Sequence, residues 1–420
     1  MTNLKSAMII GAGIGGLVTA LQLDRLGIKV QVFESVNEIR ALGVGINLLP
    51  HSVKVLTELG LADELDREGV RTAELVYYNK FGQLIWQEPR GLDAGYQWPQ
   101  YSIHRGKLQL LLLKEVRRRL GEQAVKTGHH LTMFEEDADG VSAHFVSRKT
   151  GQALGSYKAD MMIGADGIHS VVRKTFYPNE GDPKYGGRIL WRGTTEASPF
   201  LTGRSMIMMG HVDVKFVAYP ISTPNSQGES TINWIAELTV PGGMRDRTDW
   251  NRIANKEDFA PAFANWEFDW INVPQIIEKA VSVYEFPLVD KDPVKQWAFG
   301  RVALLGDAAH PMYPIGSNGA SQAILDSEAL YRSLQENESV EAALKYYESL
   351  RLEKTASIVL SNRENGPEIV MQIVEERAPN GFTNLYDVIS REELEGISAR
   401  YKKIAGFDKD TLNTVKEVKS

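Results

Sequence analysis

The sequence predicts an α/β fold with two interleaved units and additional helices at the C-terminus. A strand, a glycine-rich turn, a helix and a second strand follow one another within the first 34 residues. Between about residues 185 and 240 the sequence is rich in β-branched and aromatic residues, which is typical of antiparallel strands. A further buried strand and long helices follow from about residue 303. Because α/β material lies on both sides of the β-rich section, we expect the chain to cross between the two units.

The N-terminal strands and helix are predicted from apolar runs and glycines. Residues 7–10 form a short apolar run of the kind found in buried parallel strands. Residues 11–16 are the glycine-rich turn, and Gly27 stands where a helix C-cap glycine is expected. A second strand is predicted over residues 30–34, so the chain begins with a βαβ unit.

Later elements are predicted from periodicity and from capping residues. The expected strands lie within 71–88 and 185–240 (for example 215–219 and 231–236) and at 303–305. The expected helices are 107–120, about 319–334, about 340–363, and one that Pro367 opens and residues 378–381 end. Ser390 and Glu393 predict a capping box before a last helix, whose apolar face holds Leu394, Ile397, Tyr401 and Ile404.

Composition and charge exclude several classes of function. The 420 residues carry 47 basic and 54 acidic side chains, a formal net charge of −7 that disfavours nucleic acid and anionic membranes as partners. The chain has no cysteine, so disulfides, thiolate metal ligands and cysteine nucleophiles are excluded. The most apolar segment, residues 7–23, contains four glycines and is too short to span a bilayer. We therefore expect a cytoplasmic protein without a metal site.

Residues 11–16 match the pattern GxGxxG between a strand and a helix. Gly11 permits the tight turn, Gly13 lets the backbone approach a pyrophosphate, and Gly16 lets the helix pack on the strand. The helix N-terminus favours phosphate, and Glu34 at the end of the second strand can accept hydrogen bonds from ribose hydroxyls. An acid there favours FAD or NAD over NADP. The predicted binding residues of this motif are Gly11, Gly13, Ile14, Gly15, Gly16 and Glu34.

A second motif lies at residues 160–167, where an apolar strand ends in Asp166 and Gly167. Ser170 and Arg173 follow it. Taken alone, this pattern fits an ordinary strand and turn equally well. It indicates a binding motif only in combination with the other motifs of the chain.

A third motif lies at residues 304–311, where a strand leads into Asp307. This carboxylate can hold the hydroxyls of a ribityl chain. His310 has no carboxylate or serine partner at motif spacing, so we do not expect it to be catalytic. Residues 314–320 then open a helix whose N-terminal dipole favours an anionic group.

In this order and separation, the three motifs resemble those of the single-component FAD aromatic hydroxylases, the class A flavoprotein monooxygenases. The resemblance covers roughly residues 5–365. Residues 42–47, 99–106 and 316–326 resemble the phenazine hydroxylases of that class in particular. The resemblance implies a Rossmann-like FAD-binding domain of residues 1–70, 101–180 and 290–365. It further implies a β-sheet substrate domain of residues 71–100 and 181–289, and a C-terminal helical segment of residues 366–420.

The resemblance also implies roles for individual residues. Arg105 matches an arginine that contacts FAD, where a cation suits the pyrophosphate. Asp166 and Gly167 match an Asp-Gly motif that serves FAD and the transient nicotinamide, and Asp307 matches the residue on the ribityl chain. The backbone around Gly316, Asn318, Gly319 and Ala320 faces the flavin pyrimidine edge, and Val44 and Gly45 face the isoalloxazine ring.

The single GxGxxG and the absence of cysteine predict that NADH or NADPH binds only transiently. The resemblance then implies that non-covalent FAD, reduced by NAD(P)H, reacts with O₂ to give a C4a-hydroperoxide that hydroxylates a small aromatic or heteroaromatic molecule. The alternatives are an FAD-dependent dehydrogenase, epoxidase or halogenase on the same fold, or a non-catalytic FAD- or ligand-binding protein. The sequence sets no oligomeric state and is compatible with a dimer.

The β-rich section supplies the substrate pocket in this family. Strand alternation places Phe216 and Ala218 on one face and Val217 and Tyr219 on the other. For each aromatic residue, simple core packing remains an open alternative. The pocket candidates are Trp191, Tyr219, Trp234 and the loop Met312, Tyr313 and Pro314.

Overall fold

A six-stranded, mostly parallel sheet carries the glycine-rich turn in the computed structural model, which describes residues 2, 4–240 and 252–414. Helices pack on this sheet, so its central strands are buried and read as continuous apolar runs. The edge strand β21 is antiparallel and the other pairings are parallel. In spatial order the strands are β21 (Ala298–Phe299), β22 (Val302–Leu304), β12 (Met161–Gly164), β1 (Ser6–Ile10), β2 (Lys29–Phe33) and β8 (Val125–Lys126).

An eight-stranded, mostly antiparallel sheet forms the second layer. Its two faces belong to different apolar clusters, because alternate side chains of a strand point in opposite directions. In spatial order its strands are β17 (Arg252–Ile253), β20 (Val283–Asp290), β13 (Lys184–Ala197), β16 (Ser230–Thr239), β15 (Val214–Pro220), β14 (Ser205–Gly210), β5 (Glu74–Tyr78) and β6 (Leu84–Pro89).

Three small sheets complete the β structure. One joins β3 (Gly45–Leu48), β7 (Tyr101–His104) and β4 (Gly69–Arg71), and a two-stranded sheet joins β18 (Glu267–Phe268) and β19 (Ile271–Asn272). The third joins β9 (His129–Asp137), β10 (Gly140–Ser147) and β11 (Ala153–Ala159). This third sheet was not predicted from the sequence, because β9 and β11 are largely solvent-exposed and carry many polar side chains.

Helices pack on the parallel sheet and on both faces of the eight-stranded sheet, with α6 on one of those faces and α9 and α10 on the other. Gly27 ends the first helix in a left-handed conformation (φ 71°), as expected, with Ile28 N donating to Leu23 O. The helices are α1 (Ile14–Asp24), α2 (Pro50–Glu58), α3 (Ala62–Glu68), α4 (Arg105–Leu120), α5 (Val171–Phe176), α6 (Val273–Lys279), α7 (Gly319–Glu336), α8 (Val340–Arg363), α9 (Ile369–Arg377), α10 (Arg391–Ala405) and α11 (Lys409–Thr414).

The predicted fold class is confirmed, and the differences are local. Helix α4 begins earlier than predicted because the His104 side chain accepts hydrogen bonds from the backbone of its first turn. The capping box of α10 is only half formed: Ser390 Oγ accepts from Glu393 N at 3.1 Å, but the Glu393 carboxylate pairs with Arg377 instead. In the described part of the chain, no helix is long and apolar enough to cross a membrane.

The division into domains stays a prediction, and the membership of the sheets supports it. Strands β5, β6 and β13–β17 share one sheet with β20, whereas β1, β2, β12 and β22 share the other. Residues 241–251 of the predicted substrate domain and 415–420 of the predicted C-terminal segment lie outside the described residues.

Candidate active site

A cleft of about 320 Å³ separates the parallel sheet from one face of the eight-stranded sheet. Its walls bring together residues that are far apart in the sequence. The predicted residues that line it are Gly13, Ile14, Gly15, Gly16, Gly45, Arg105, Gly167, Asp307, Pro314, Asn318, Gly319, Ala320 and Tyr219, together with Met312. Gly11, Glu34, Val44, Asp166 and Gly316 are not among the residues of this wall.

The glycine-rich turn is packed tightly on one side and open on the other. A side chain at Gly11 (φ 104°) would place Cβ 2.3 Å from Ala165 O, and one at Gly16 would place it 2.1 Å from Gly11 O. A Cβ at Gly13, by contrast, would meet no atom within 4 Å. The turn therefore leaves room beside the N-terminus of α1, where free N–H groups favour a pyrophosphate.

Glu34 lies beside this turn at the end of β2. Its Oε2 accepts a hydrogen bond from Ala12 N at 2.9 Å, and its Oε1 accepts one from Val36 N at 3.0 Å. Ser35 Oγ donates a third hydrogen bond, to Oε1 at 3.2 Å. An ionised carboxylate can accept about four, so Glu34 keeps capacity for about one ribose hydroxyl. It also holds the turn in place, a role that the motif alone does not predict.

Arg105 and Asp307 both line the cleft. No hydrogen bond or ion pair joins either side chain to another described residue. The surrounding protein partly desolvates the Asp307 carboxyl and so raises its pKa, although the side chain faces the open cleft, and the charges of His310 and Arg105 oppose that shift. Asp307 is exposed toward the open cleft, so its oxygens are available to a ligand.

The loop before α7 contains two left-handed residues, Gly316 (φ 66°) and Ser317 (φ 58°). A side chain at Gly316 would collide with the hydroxyl of Tyr401. That hydroxyl accepts a hydrogen bond from Asn318 Nδ2 at 2.7 Å, so α10 holds the loop from outside the cleft. The first N–H groups of α7, at Gly319 and the residue after it, remain free for an anionic group.

Asp166 lies behind the cleft rather than on its wall. Its carboxylate accepts hydrogen bonds from Ser170 Oγ at 2.5 Å and Val171 N at 2.7 Å, and burial raises its pKa. Gly167, its neighbour, has a φ of 78° and does line the cleft. The Asp166 side chain therefore fixes the turn that presents Gly167.

His310 has a carboxylate partner after all, which corrects the expectation from the sequence. Its Nε2 lies 2.6 Å from Asp326 Oδ2 on α7, and Arg351 Nε lies 2.7 Å from Asp326 Oδ1. Burial raises the pKa of Asp326, but the charges of His310 and Arg351 outweigh it and lower that pKa to about 2. Asp326 also accepts from Gly306 N at 3.0 Å, so this buried group supports the turn that carries Asp307.

Three of the predicted pocket residues do not face the cleft. Trp191 and Trp234 belong to the apolar cluster on the opposite face of the eight-stranded sheet, because their strand neighbours point into the cleft. Trp191 stacks on Phe259 with ring centroids 5.1 Å apart. Tyr313 is buried against Gly186. Tyr219 and Pro314 do line the cleft, and their contact with substrate stays a prediction.

Four charged residues on the cleft wall were not predicted from the sequence: Arg192, Lys215, Glu237 and Glu368. The available signal was a charged residue at alternate positions within otherwise apolar strands. Arg192 follows Leu190 on the cleft face of β13, and Lys215 precedes Val217 on that of β15. Charges at such positions are rarely buried without a partner or a function.

The residues of the cleft fit FAD. An open glycine turn, a cation, an unpaired carboxylate and a free helix N-terminus line one continuous wall, and they match in order the pyrophosphate, ribityl and flavin parts of that cofactor. The fold and the site thus define a flavin-dependent oxidoreductase.

Comparison with known proteins identifies the family. A family model described as FAD binding domain matches residues 5–361, and the chain belongs to this family. The chain is 44% identical over 363 residues to a phenazine 1,6-dicarboxylic acid hydroxylase of Lysobacter antibioticus, covering 85% of this chain and 89% of that protein. It is 34% identical to a 3-amino-4-hydroxybenzoate 2-monooxygenase of Streptomyces cremeus, covering 83% and 84%. It is 28% identical to a 6-hydroxynicotinate 3-monooxygenase of Bordetella bronchiseptica, covering 85% and 90%.

Comparison with solved structures gives a consistent result for the fold. A crystal structure of Klebsiella pneumoniae HpxO with FAD and uric acid matches with a TM-score of 0.75 and 24% identity over 97% of both chains. The resemblance to the class A hydroxylases is therefore confirmed. The protein is an FAD-dependent monooxygenase that hydroxylates a small aromatic molecule with NAD(P)H and O₂. The alternatives of a dehydrogenase, an epoxidase, a halogenase and a non-catalytic binding protein do not match these relatives.

Proposed function

We propose that the substrate is a planar aromatic or heteroaromatic carboxylic acid whose carboxylate binds Arg192. Arg192 is the observation that carries this proposal. It lies on the cleft wall, and among the described residues no carboxylate pairs with it. Its Nη2 donates to Gly45 O at 3.1 Å and it hydrogen-bonds Tyr219, while its Nε has no partner.

The energy of a half-buried, unpaired cation supports this role. Partial burial lowers the pKa of Arg192, yet a guanidinium remains charged in proteins. Loss of water around an unpaired charge is costly, and a carboxylate ligand that forms two parallel hydrogen bonds offsets that cost. Binding of an acid therefore recovers energy that the ligand-free protein lacks.

The rest of the wall suits a flat ring. Met208, Val217, Ile235 and Arg192 stand in one row across four strands, and Met206 adds a second flexible side chain. Aliphatic and thioether groups pack against ring faces without competing for hydrogen bonds. This row excludes water from one side of the substrate and orients its ring toward the cofactor wall.

The cofactor wall is assigned in the same proposal. FAD, when bound, supplies the redox chemistry and the activation of O₂. Gly13 and the N-terminus of α1 bind the pyrophosphate, Glu34 the ribose, and Asp307 the ribityl hydroxyls. Arg105 neutralises phosphate charge. The remaining proposed FAD contacts are Gly11, Ile14, Gly15, Gly16, Val44, Gly45, Asp166, Gly167, Gly316, Asn318, Gly319 and Ala320.

The relatives support an acid as the substrate. Three of them are named for aromatic carboxylic acids: a phenazine dicarboxylic acid, an amino-hydroxybenzoate and a hydroxynicotinate. The phenazine relative has the higher identity, so a phenazine carboxylate is the first substrate to test. Because the reaction consumes NADH or NADPH, we propose that it takes place in the cytoplasm.

The test compares acids with their neutral carboxamides. Phenazine-1-carboxylate, 3-hydroxybenzoate and 6-hydroxynicotinate, each beside its carboxamide, are scored for NAD(P)H oxidation coupled to a hydroxylated product. We expect an acid to be turned over. For that acid Arg192→Met lowers kcat/KM roughly 10- to 100-fold, as loss of a charged hydrogen bond does.

The matched carboxamide separates substrate binding from other roles of Arg192. We expect the variant to lose little with the carboxamide, and Arg148→Met, at an exposed arginine, to lose nothing with either compound. An equal loss with acid and amide would place Arg192 on the cofactor instead and would overturn the proposal.

A further inference from the structure

Four charged side chains form a cluster on the cleft face of the eight-stranded sheet and on the segment after α8. We call Arg188, Lys215, Glu237 and Glu368 the charged cluster. All four are buried, with exposed fractions between 3% and 6%. Lys215, Glu237 and Glu368 line the cleft, so the cluster belongs to its wall.

The ion pairs within the charged cluster use only part of its hydrogen-bonding capacity. Lys215 Nζ lies 2.9 Å from Glu237 Oε2 and 2.6 Å from Glu368 Oε2, and Arg188 Nη1 lies 2.7 Å from Glu237 Oε1. An ammonium group has three N–H donors, so one remains. Glu368 Oε1 accepts no hydrogen bond from the described part of the chain. Glu237 Oε1, although it is ion-paired with Arg188, accepts no hydrogen bond from these described residues either, so at least one donor and one acceptor remain at the cleft.

Stability does not explain the charged cluster. Buried ion pairs can often be replaced by apolar side chains of similar volume without loss of stability. The neighbouring positions on the same face are apolar, including Leu190, Val217 and Ile235. A continuous apolar wall would therefore cost less than four buried charges, and a role toward a ligand accounts for them.

The cluster lies at the other end of the substrate wall from Arg192. Across the sheet, Arg192 of β13 pairs with Ile235 of β16, which pairs in turn with Val217 of β15. Lys215 pairs with Glu237, two residues further along the same two strands. With strands about 4.8 Å apart and about 3.4 Å per residue, the Cα atoms of Arg192 and Lys215 are about 12 Å apart. Apolar side chains fill the distance between them.

The charges of the cluster cancel, which decides what it can bind. Two cations and two carboxylates leave no net charge, unlike Arg192, which has no ionic partner among the described residues. A second carboxylate placed here would meet Glu368 Oε1 and be repelled. A neutral group that both accepts and donates, such as a hydroxyl or an amide, satisfies the free donor and the free acceptor together.

We propose that Lys215 and Glu368 bind a neutral hydroxyl or amide-like substituent on the ring remote from the Arg192-bound carboxylate, and that they select monoacids over diacids. This inference rests on the proposed function. It predicts a substrate with two different ends, one anionic and one neutral and polar, and so a substrate preference different from the dicarboxylic acid for which the Lysobacter relative is named. It also assigns a role in specificity to the C-terminal segment, which contributes Glu368.

Three probes that differ at a single position test the inference. The parent probe is phenazine-1-carboxylate, and the other two probes carry a hydroxyl or a carboxylate at position 6 in place of hydrogen. Binding of each probe to the FAD-loaded protein is followed by flavin fluorescence. We expect the hydroxyl compound to bind roughly ten-fold more tightly than the parent, as a hydrogen bond to a charged group allows. We expect the dicarboxylate to bind more weakly than the parent.

We expect two variants to change the binding of these probes in different ways. Glu368→Gln removes one negative charge, so we expect it to improve the binding of the dicarboxylate relative to the parent roughly ten-fold and to weaken that of the hydroxyl compound. We expect Arg192→Met to weaken the binding of all three probes. FAD content and thermal midpoint show that each variant is folded, and Glu376→Gln, an exposed acid on α9, serves as the matched control.

The outcomes separate the two proposals. A dicarboxylate that binds the wild type better than the hydroxyl compound, or a Glu368→Gln variant that shifts all three probes equally, overturns the inference and leaves the role of Arg192 intact. Probes that are insensitive to Arg192→Met overturn the proposed function, whatever the Glu368 variant does.

Discussion

Arg192 and Asp307 show how single residues can place charge in a cleft without a protein partner. Arg192 hydrogen-bonds only neutral oxygens, and no described cation is hydrogen-bonded to Asp307. Most other buried charges of the protein are paired, as Asp326 is with His310 and Arg351. Unpaired charges on a cleft wall therefore mark the positions where a ligand completes the structure.

Asp307→Ala tests the cofactor wall at this scale. A carboxylate that accepts hydrogen bonds from ribityl hydroxyls contributes roughly 1–3 kcal/mol, so we expect FAD affinity to fall about 10- to 100-fold. Because Asp307 has no protein partner, its removal leaves folding of the apoprotein unchanged. Titration of apoprotein with FAD, followed by fluorescence quenching, gives the affinity, and Asp269→Ala at an exposed turn is the control.

Glu34→Ala belongs to the same test but has a second effect. Glu34 also accepts a hydrogen bond from Ala12 N, so its loss loosens the glycine turn. We expect FAD affinity to fall in this variant as well. Full FAD affinity in both variants would show that the motifs are wrongly assigned.

Among elements, residues from distant parts of the chain hold the motif loops. Arg173 of α5 donates to Ala309 O at 2.7 Å and so ties the second motif to the third. Asp326 of α7 supports the Asp307 turn through Gly306 N. Tyr401 of α10 fixes the loop at Gly316. Helix α10 therefore supports a loop that we propose contacts FAD, although it contributes no residue to the FAD motifs.

Tyr401→Phe tests this support from α10. The hydroxyl is bonded to Asn318 Nδ2 and lies 3.0 Å from Asn362 Oδ1, so its loss leaves buried amide groups without a partner at a cost of about 1–3 kcal/mol. We expect weaker FAD binding, roughly ten-fold, with a changed flavin absorption spectrum because the loop is less rigid.

A matched control is Tyr386→Phe, at an exposed tyrosine of the same segment. If Tyr401→Phe lowers thermal stability while FAD affinity and spectrum stay as in the wild type, α10 packs on the protein but does not position the loop.

For the molecule as a whole, one dinucleotide-binding motif serves a reaction that needs two dinucleotides. The nicotinamide therefore binds only transiently beside the flavin. The substrate, which we propose binds in the same cleft, can influence how fast the nicotinamide reduces the flavin. Such an effect requires the substrate to interact differently with the states before and after flavin reduction.

We accordingly expect slow NAD(P)H oxidation without substrate and several-fold faster flavin reduction with the right aromatic acid. Stopped-flow absorbance measures the reduction, and ¹⁸O₂ labelling measures the origin of the new oxygen atom. Labelled product with no stimulation would remove only the coupling between substrate and reduction, whereas product without label would contradict hydroxylation itself.

The sequence by itself determined the fold class, the FAD motifs and the order of the main helices and strands. These depend on local features: glycines where a turn needs positive φ, apolar runs where a strand is buried, and capping residues at helix ends. The β9–β11 sheet escaped prediction because its stability depends on pairing between exposed strands, which leaves little hydrophobic periodicity.

Only the tertiary structure decided which side chains face the substrate. A strand has two faces, and the sequence of β13 does not tell whether Trp191 or Arg192 points to the cleft, since both faces are largely buried. The partners of His310, Gly316 and Lys215 lie on helices or segments many residues away. Contacts of that kind follow from packing of whole elements, and no local pattern in the chain encodes them.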